Sequence, residues 1–220
     1  MTPLPSGPDS FAFNPENLEK VQKILAKYPE ARRQSAVLPL LDLAQRQSGN
    51  WLPRVAMDYV AGLLGMAPIR VYEVATFYSM FNLSPVGPHF VQLCTTTPCW
   101  LRGSDELVKT CKAKLGVGPG ETTPDGKFSV REVECLGACV NAPVVQVNDD
   151  FYEDLDGESF GRLLDALARG EKPPAGSATG RQCSAPAGGP TTLKGVPGGN
   201  GHGGNGHGGN GHGGNGRGSD

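Results

Sequence analysis

Four of the six cysteines stand in two short loops. Cys94-Thr-Thr-Thr-Pro98-Cys99 encloses four residues between its thiols, and Cys135-Leu-Gly137-Ala-Cys139 encloses three. A [2Fe–2S] cluster takes four thiolates, two on each iron. Two loops with two thiols each meet that need if the fold brings them together. Loop N–H groups can then donate to the sulfurs and help set the potential. Pro98 and Gly137 suit tightly turned loops of this kind. A structural four-cysteine zinc site uses the same ligands at similar spacing. The spacing favours iron–sulfur, leaves zinc and non-ligand cysteines open, and does not say which cysteines would share an iron.

The remaining reactive side chains point elsewhere. No C-x-x-C occurs, which argues against a thioredoxin-type dithiol. Cys111 falls in the apolar stripe of a helix and reads as core packing, while Cys183 lies in a Gly/Pro-rich stretch and reads as an exposed thiol. His89 is the only histidine before the tail, so it is read as a packing or strand-edge residue rather than a catalyst. Trp51 and Trp100 read as packing residues. Gly116-Val-Gly118-Pro-Gly120 lacks the G-x-G-x-x-G spacing and has no Lys-Ser/Thr after it. The chain therefore shows no NADH or flavin site of its own.

The elements that must position the cysteines follow from apolar spacing. Asn14-Pro15 suits a helix start, with Leu18, Val21 and Leu25 as its apolar face. A second helix carries Leu38, Leu41 and Ala44 and ends at Gly49-Asn50. Pro53 opens a third with a Val55, Tyr59, Leu63 stripe, and Pro68 a fourth with Ile69, Tyr72 and Ala75. Composition then changes at Ser84-Pro85-Val86-Gly87-Pro88. Beyond it the order is a strand (His89 to Cys94), a helix from Ser104, strands near Phe128 and Val144, a turn at Asn148-Asp149-Asp150, and a helix from Leu155 to Ala168. The expected fold class is α+β. Residues 1–13 are expected to be a flexible N-terminus, 14–84 a helical bundle, 85–172 a small α/β domain, and 173–220 a disordered Gly-rich tail.

That tail ends in a five-residue Gly-Gly-Asn-Gly-His repeat, with Arg217 in place of histidine in the fourth copy. It has too few large apolar residues to offset the entropy of ordering. Removing it leaves about 160 residues to build a core. The tail histidines are separated by flexible residues and read as solvated.

The formal net charge is −2, and no long Lys/Arg run marks a nucleic-acid surface. The opening residues resemble neither a secretory signal nor a transit peptide, and no run of about 18 apolar residues exists to cross a bilayer. A reducing compartment is expected, where clustered cysteines more often bind metal than form disulfides.

Three blocks then resemble one family. Val71-Tyr-Glu-Val-Ala-Thr-Phe-Tyr-Ser-Met-Phe-Asn-Leu83, with Pro85-Val-Gly87, resembles the lead-in of the thioredoxin-like [2Fe–2S] subunit of respiratory NADH:quinone oxidoreductase (complex I). Cys94-Thr-Thr-Thr-Pro-Cys99-Trp-Leu-Arg-Gly-Ser104 resembles that family's first cluster loop, and Glu134-Cys135-Leu-Gly-Ala-Cys139-Val-Asn-Ala-Pro143 its second. The similarity runs from about Phe13 to Gly170 and touches Gly180-Arg181 and Gly189-Pro-Thr-Thr-Leu193.

The resemblance implies a helical bundle followed by a thioredoxin-like [2Fe–2S] ferredoxin domain. Its cluster would be held by Cys94, Cys99, Cys135 and Cys139. It also implies docking beside a larger subunit that carries FMN and oxidises NADH, among the other peripheral-arm subunits on the cytoplasmic side of a bacterial inner membrane. The cluster would exchange single electrons with that flavin. The equivalent subunit of an NAD-linked hydrogenase or formate dehydrogenase is the alternative within the same chemistry. A zinc-bound interaction module is the alternative outside it. Glu132 and Glu134, just before the second loop, are expected to lower the cluster's potential if ionised beside it.

Overall fold

Asn14 caps the first helix in the computed structural model as its position suggests: its side chain accepts from the Asn17 N–H at 2.8 Å, and Pro15 occupies the first turn. The structure describes residues 7–186, 188–189 and 192. The Gly-Asn-Gly-His repeats and residues 1–6 lie outside the described residues. Chain contacts divide the protein into two units, Met1–Ser184 and Ala185–Asp220. Of the second, the described residues include a turn in which the Gly189 N–H donates to the Pro186 carbonyl at 2.9 Å.

The helical part comprises α1 (Pro15–Leu25), a 3-10 segment (Glu30–Ala36), α2 (Val37–Gln47), α3 (Arg54–Leu64) and α4 (Pro68–Phe77). Three expected stripes are rotated. In α1, Val21 and Leu25 are buried but Leu18 is exposed, and Asn17 takes the inward position. Its amide donates to Gln47 Oε1 at 2.8 Å, which also accepts from the Asn14 N–H, so the buried polar group is satisfied. In α3 the inward residues are Ala56, Met57, Val60, Ala61 and Leu64, while Leu63 is exposed. The small side chains of Ala56 and Ala61 face the other helices in one core. In α4, Val71 and Ala75 are buried and Ile69 is exposed.

Residues 7–13, expected to be flexible, pack onto these helices. Phe13 is buried, and the rings of Phe11, Phe13 and Tyr59 meet edge-on at centroid distances of 5.2–5.6 Å. The Gln47 side chain donates to the Ala12 carbonyl and fixes the entry to α1. Replacing Asn14 with Ala should lower stability by about 1 kcal/mol, the usual cost of a lost N-cap, read from the urea midpoint. An unchanged midpoint would mean that Gln47 alone holds this end.

Gln45 and Asn82 stitch the end of the helical part to its core. Gln45 accepts from the Asn82 N–H at 2.7 Å and donates to the Met80 carbonyl. The chain then passes Gly87, where a Cβ would lie 2.6 Å from the Gly126 carbonyl oxygen and 2.7 Å from that of Lys127. Both are backbone atoms, so only glycine fits this approach.

The second part contains β1 (His89–Cys94), α5 (Thr97–Leu101), α6 (Ser104–Leu115), β2 (Phe128–Val133), β3 (Val145–Val147), β4 (Asp150–Glu153), α7 (Gly157–Ala168) and β5 (Gly176–Ser177). The sheet order is β2-β1-β3-β4-β5. β1 and β2 run parallel, β3 is antiparallel to both β1 and β4, and β5 is parallel to β4. α6 supplies the crossover that a parallel β1–β2 pair needs. Val91, Leu93, Leu107, Cys111, Phe128, Val145, Phe160 and Leu164 form one core between the sheet and helices α6 and α7. Asp156 caps α7 through the Ser159 N–H, with Ser159 returning the bond. Residues 173–184, expected to be tail, instead leave α7, add β5 and run along the second cysteine loop.

The two parts meet through a bidentate pair, Arg46 to Asp149 at 2.8 and 3.0 Å. It holds the Asp149 carboxyl below the usual carboxylate range, but its exposure limits its contribution to about 0–1 kcal/mol. Among the described residues no helix is long and apolar enough to cross a membrane.

Candidate metal centre

The parallel register of β1 and β2 determines where the thiols meet. Cys94, the last residue of β1, is paired with Val133, the last residue of β2. Two residues past Val133 the chain reaches Cys135, so both cysteine loops leave the sheet from the same edge. Cys99 follows Cys94 on α5, a short helix not expected from the sequence, which Pro98 opens. Cys139 begins a 3-10 turn ending at Asn141.

The four thiols stand as two pairs. Cys135 and Cys139 lie 3.3 Å apart, sulfur to sulfur, and the Cys99 thiol hydrogen-bonds to Cys94. Cys94 and Cys99 are buried among Ala142, Val144, Leu136 and Phe151, whereas Cys135 is exposed and Cys139 half-exposed. The loops also interact across the gap. Burial pushes the Cys94 thiol up, but hydrogen bonds from the Thr96 hydroxyl and the N–H groups of Leu136 and Thr96 outweigh it and lower it overall. Leu136 belongs to the other loop. Burial and the neighbouring Cys94 thiol push Cys99 up to about 12, against a hydrogen bond from the Val144 N–H. The Gly137 N–H, 3.4 Å from Cys135 Sγ, holds that thiol down. Cys135 beside it raises Cys139.

Backbone and hydroxyl donors therefore surround the sulfurs on both loops. Such donors suit electron-rich thiolate and sulfide, and the paired thiols suit a binuclear iron–sulfur group. Among the described residues no three His, Cys, Asp or Glu side chains are placed to hold a single metal ion. Cys94, Cys99, Cys135 and Cys139 are the residues that could hold the group.

The other cysteines stand apart from these loops. Cys111 is fully buried in the α6–α7 core, and burial pushes its thiol up to about 11. Cys183 is exposed. In the native chain at pH 8, iodoacetamide should label Cys183 within minutes and leave Cys111 unmodified until unfolding, as peptide mapping would show. Rapid native labelling of Cys111 would contradict its burial. Trp100 is exposed and its indole N–H donates to Asp105 at 3.2 Å, so it is not the packing residue expected. Of the two acidic residues before the second loop, Glu132 accepts from the Thr95 hydroxyl at 2.5 Å, and Glu134 is exposed.

Sequence reasoning missed three residues that brace the second loop: Asn141, Asp154 and Arg181. Arg181 pairs with Asp154 and donates to the Val140 carbonyl. Its legible signal was the family-like Gly180-Arg181 dipeptide within an otherwise featureless stretch.

A mixed sheet with two thiol pairs at one edge defines a class, and the family comparison agrees with it. The model of the thioredoxin-like [2Fe–2S] ferredoxin family matches residues 21–168, and the chain belongs to that family. Its relatives include the mitochondrial NADH dehydrogenase [ubiquinone] flavoprotein 2 of Dictyostelium discoideum, 58% identical over 183 residues, 83% of this chain and 74% of that protein. An NADH-quinone oxidoreductase subunit of Rickettsia bellii is 60% identical over 158 residues, 72% of this chain and 95% of that one. Among solved structures, an NAD+-reducing [NiFe]-hydrogenase in the air-oxidised state superposes with a TM-score of 0.53 at 21% identity. That match covers 60% of this chain and 23% of the hydrogenase chain, and it speaks to fold alone.

Proposed function

We propose that this chain is the electron-transfer iron–sulfur subunit of an NADH:quinone oxidoreductase, with one [2Fe–2S] cluster held by Cys94, Cys99, Cys135 and Cys139. The observation that carries the reading is the meeting of two thiol pairs at the common edge of β1 and β2, in a chain 60% identical over 158 residues to the Rickettsia bellii oxidoreductase subunit. When bound, the cluster supplies a one-electron carrier. All four thiols would hold the cluster, the buried Cys94 and Cys99 from one loop and the more exposed Cys135 and Cys139 from the other. The N–H groups of Leu136, Gly137 and Val144 favour negative charge on the sulfurs. Exposed Cys135 brings that edge to the surface, where an electron partner can approach.

The partner in this reading is the subunit that binds NADH and FMN, with which the cluster exchanges single electrons. The complex would sit on the cytoplasmic side of the membrane with this chain as a peripheral subunit. An equivalent subunit of an NAD-linked hydrogenase remains the second reading, supported by the fold likeness but at far lower identity than the NADH-quinone oxidoreductase relatives. Tagged chain, expressed with the flavin subunit of its own host, tests the proposal. Recovery of a one-to-one complex that contains FMN and oxidises NADH with ferricyanide is expected, and the chain alone should do neither. Recovery of the chain by itself, colourless and zinc-loaded, would contradict it.

A further inference from the structure

The turn that carries Cys139 is held by little of its own. It spans three residues, and its backbone bonds are the Asn141 N–H to the Ala138 carbonyl at 2.9 Å and the Ala142 N–H to the Cys139 carbonyl at 3.3 Å. The Val140 side chain is 64% exposed, so apolar burial does not anchor the middle of the turn. What anchors it is the segment after α7. β5 pairs Gly176 with Tyr152 and Ser177 with Glu153, which fixes this segment along β4. Past Gly180, Arg181 turns under the second cysteine loop.

The Arg181 guanidinium donates to the Val140 carbonyl at 3.0 Å and to both carboxylate oxygens of Asp154, one of them at 3.1 Å from Nε. The two side chains are only 10% and 8% exposed. Asp154 accepts a further bond from the Ser177 hydroxyl at 2.6 Å. The Asp154 N–H donates to the Asn141 carbonyl at 2.7 Å. The buried Asn141 amide in turn donates to Glu153 Oε2 at 2.5 Å and to the Cys183 carbonyl at 2.7 Å. Both residues that follow Cys139 are therefore tied to this segment by polar bonds: those of Asn141 and of the Arg181–Asp154 pair are partly buried, where such bonds are strong and hard to replace, and the one to the Val140 carbonyl lies at the surface.

We propose that Arg181 is a positioning residue for the cluster: its planar fork locks the Val140 carbonyl to Asp154 and so holds the Cys139 thiol in place. The proposal rests on the reading of Cys139 as a ligand. A guanidinium is required because one group must serve two carboxylate oxygens and a carbonyl at fixed angles, which a lysine ammonium cannot do. The strap thus makes residues 173–184 part of the metal centre.

The test uses the full-length chain, purified without oxygen, with Arg181→Lys, Arg181→Gln and the double variant Arg181→Gln/Asp154→Asn. Two quantities are read: the rate of iron loss to excess chelator, and the g-values of the dithionite-reduced chain. Arg181→Lys and Arg181→Gln should lose iron at least about tenfold faster than the native chain, the scale seen when support behind a metal ligand is removed, with displaced g-values. The double variant removes the unpaired buried carboxylate without restoring the Val140 bond, so it should stay fast. Native rates and g-values in Arg181→Lys, or in the double variant, would show that the pair serves stability alone and would overturn the proposal. Should Arg181→Gln fail to fold, those two variants decide. A native chain that carries no iron refutes the underlying reading and the proposal with it.

Discussion

Cys99→Ala should lower the iron retained by the anaerobically purified chain at least about tenfold, whereas Cys111→Ala should leave it unchanged. Both residues are buried cysteines on helices, so burial alone does not distinguish them. Their surroundings do. Cys99 hydrogen-bonds to Cys94, interacts with Cys139 and receives the Val144 N–H, whereas Cys111 meets only the apolar residues of the α6–α7 core. Alanine removes the thiol and offers no other donor atom, so it leaves the site one ligand short. Metal analysis and visible absorption of the two variants side by side make the check. Equal iron in both would remove Cys99 from the ligand set. Iron lost in Cys111→Ala would place a ligand where the structure puts a core residue.

The second large effect lies in the core. Phe160→Ala should destabilise the chain by about 3–5 kcal/mol, the range for truncating a buried aromatic residue. Phe160 is fully buried, and α7 reaches the sheet through it, Leu164 and Leu167. Against a typical stability of about 5–15 kcal/mol, such a loss moves the urea midpoint by a large fraction of its value. Unfolding followed by circular dichroism should show that shift with an unchanged slope. A change below about 1 kcal/mol would mean that the core collapses around the gap, contrary to its close packing.

The cysteine loops were legible because their signal is local: two thiols within six residues, each loop leaving a strand. Helix starts at Asn14-Pro15 and Pro68 were legible for the same reason, since caps act on the next few residues. Helix orientation was not. The spacing 18, 21, 25 and the spacing 17, 21, 25 both draw a stripe, and the polar character of Asn17 argues for the first. The structure adopts the second because Gln47, 30 residues away in sequence, satisfies the Asn17 amide. In α3 the alanines, weak as hydrophobic signals, mark the tightly packed face, while the larger Leu63 is left exposed.

The brace behind Cys139 was hidden for a different reason. Residues 173–184 hold few apolar side chains, so composition predicted that nothing would offset the cost of ordering them. They are ordered instead by strand hydrogen bonds to β4 and by the Arg181–Asp154 pair, whose partners are 27 residues apart. Long-range polar pairing leaves no periodic trace in a sequence. At the N-terminus, Phe11 and Phe13 did offer apolar area, but their partner Tyr59 lies on α3, whose buried face is rotated from the expected stripe.

The most direct test of the metal centre is the composition and low-temperature EPR of the native chain, purified and kept without oxygen. About two irons and two sulfides per chain, a brown colour, and an S = 1/2 signal after dithionite reduction are expected from a [2Fe–2S] cluster on these four thiols. One zinc per chain, no colour and no signal would contradict it and make the two cysteine loops a structural zinc site.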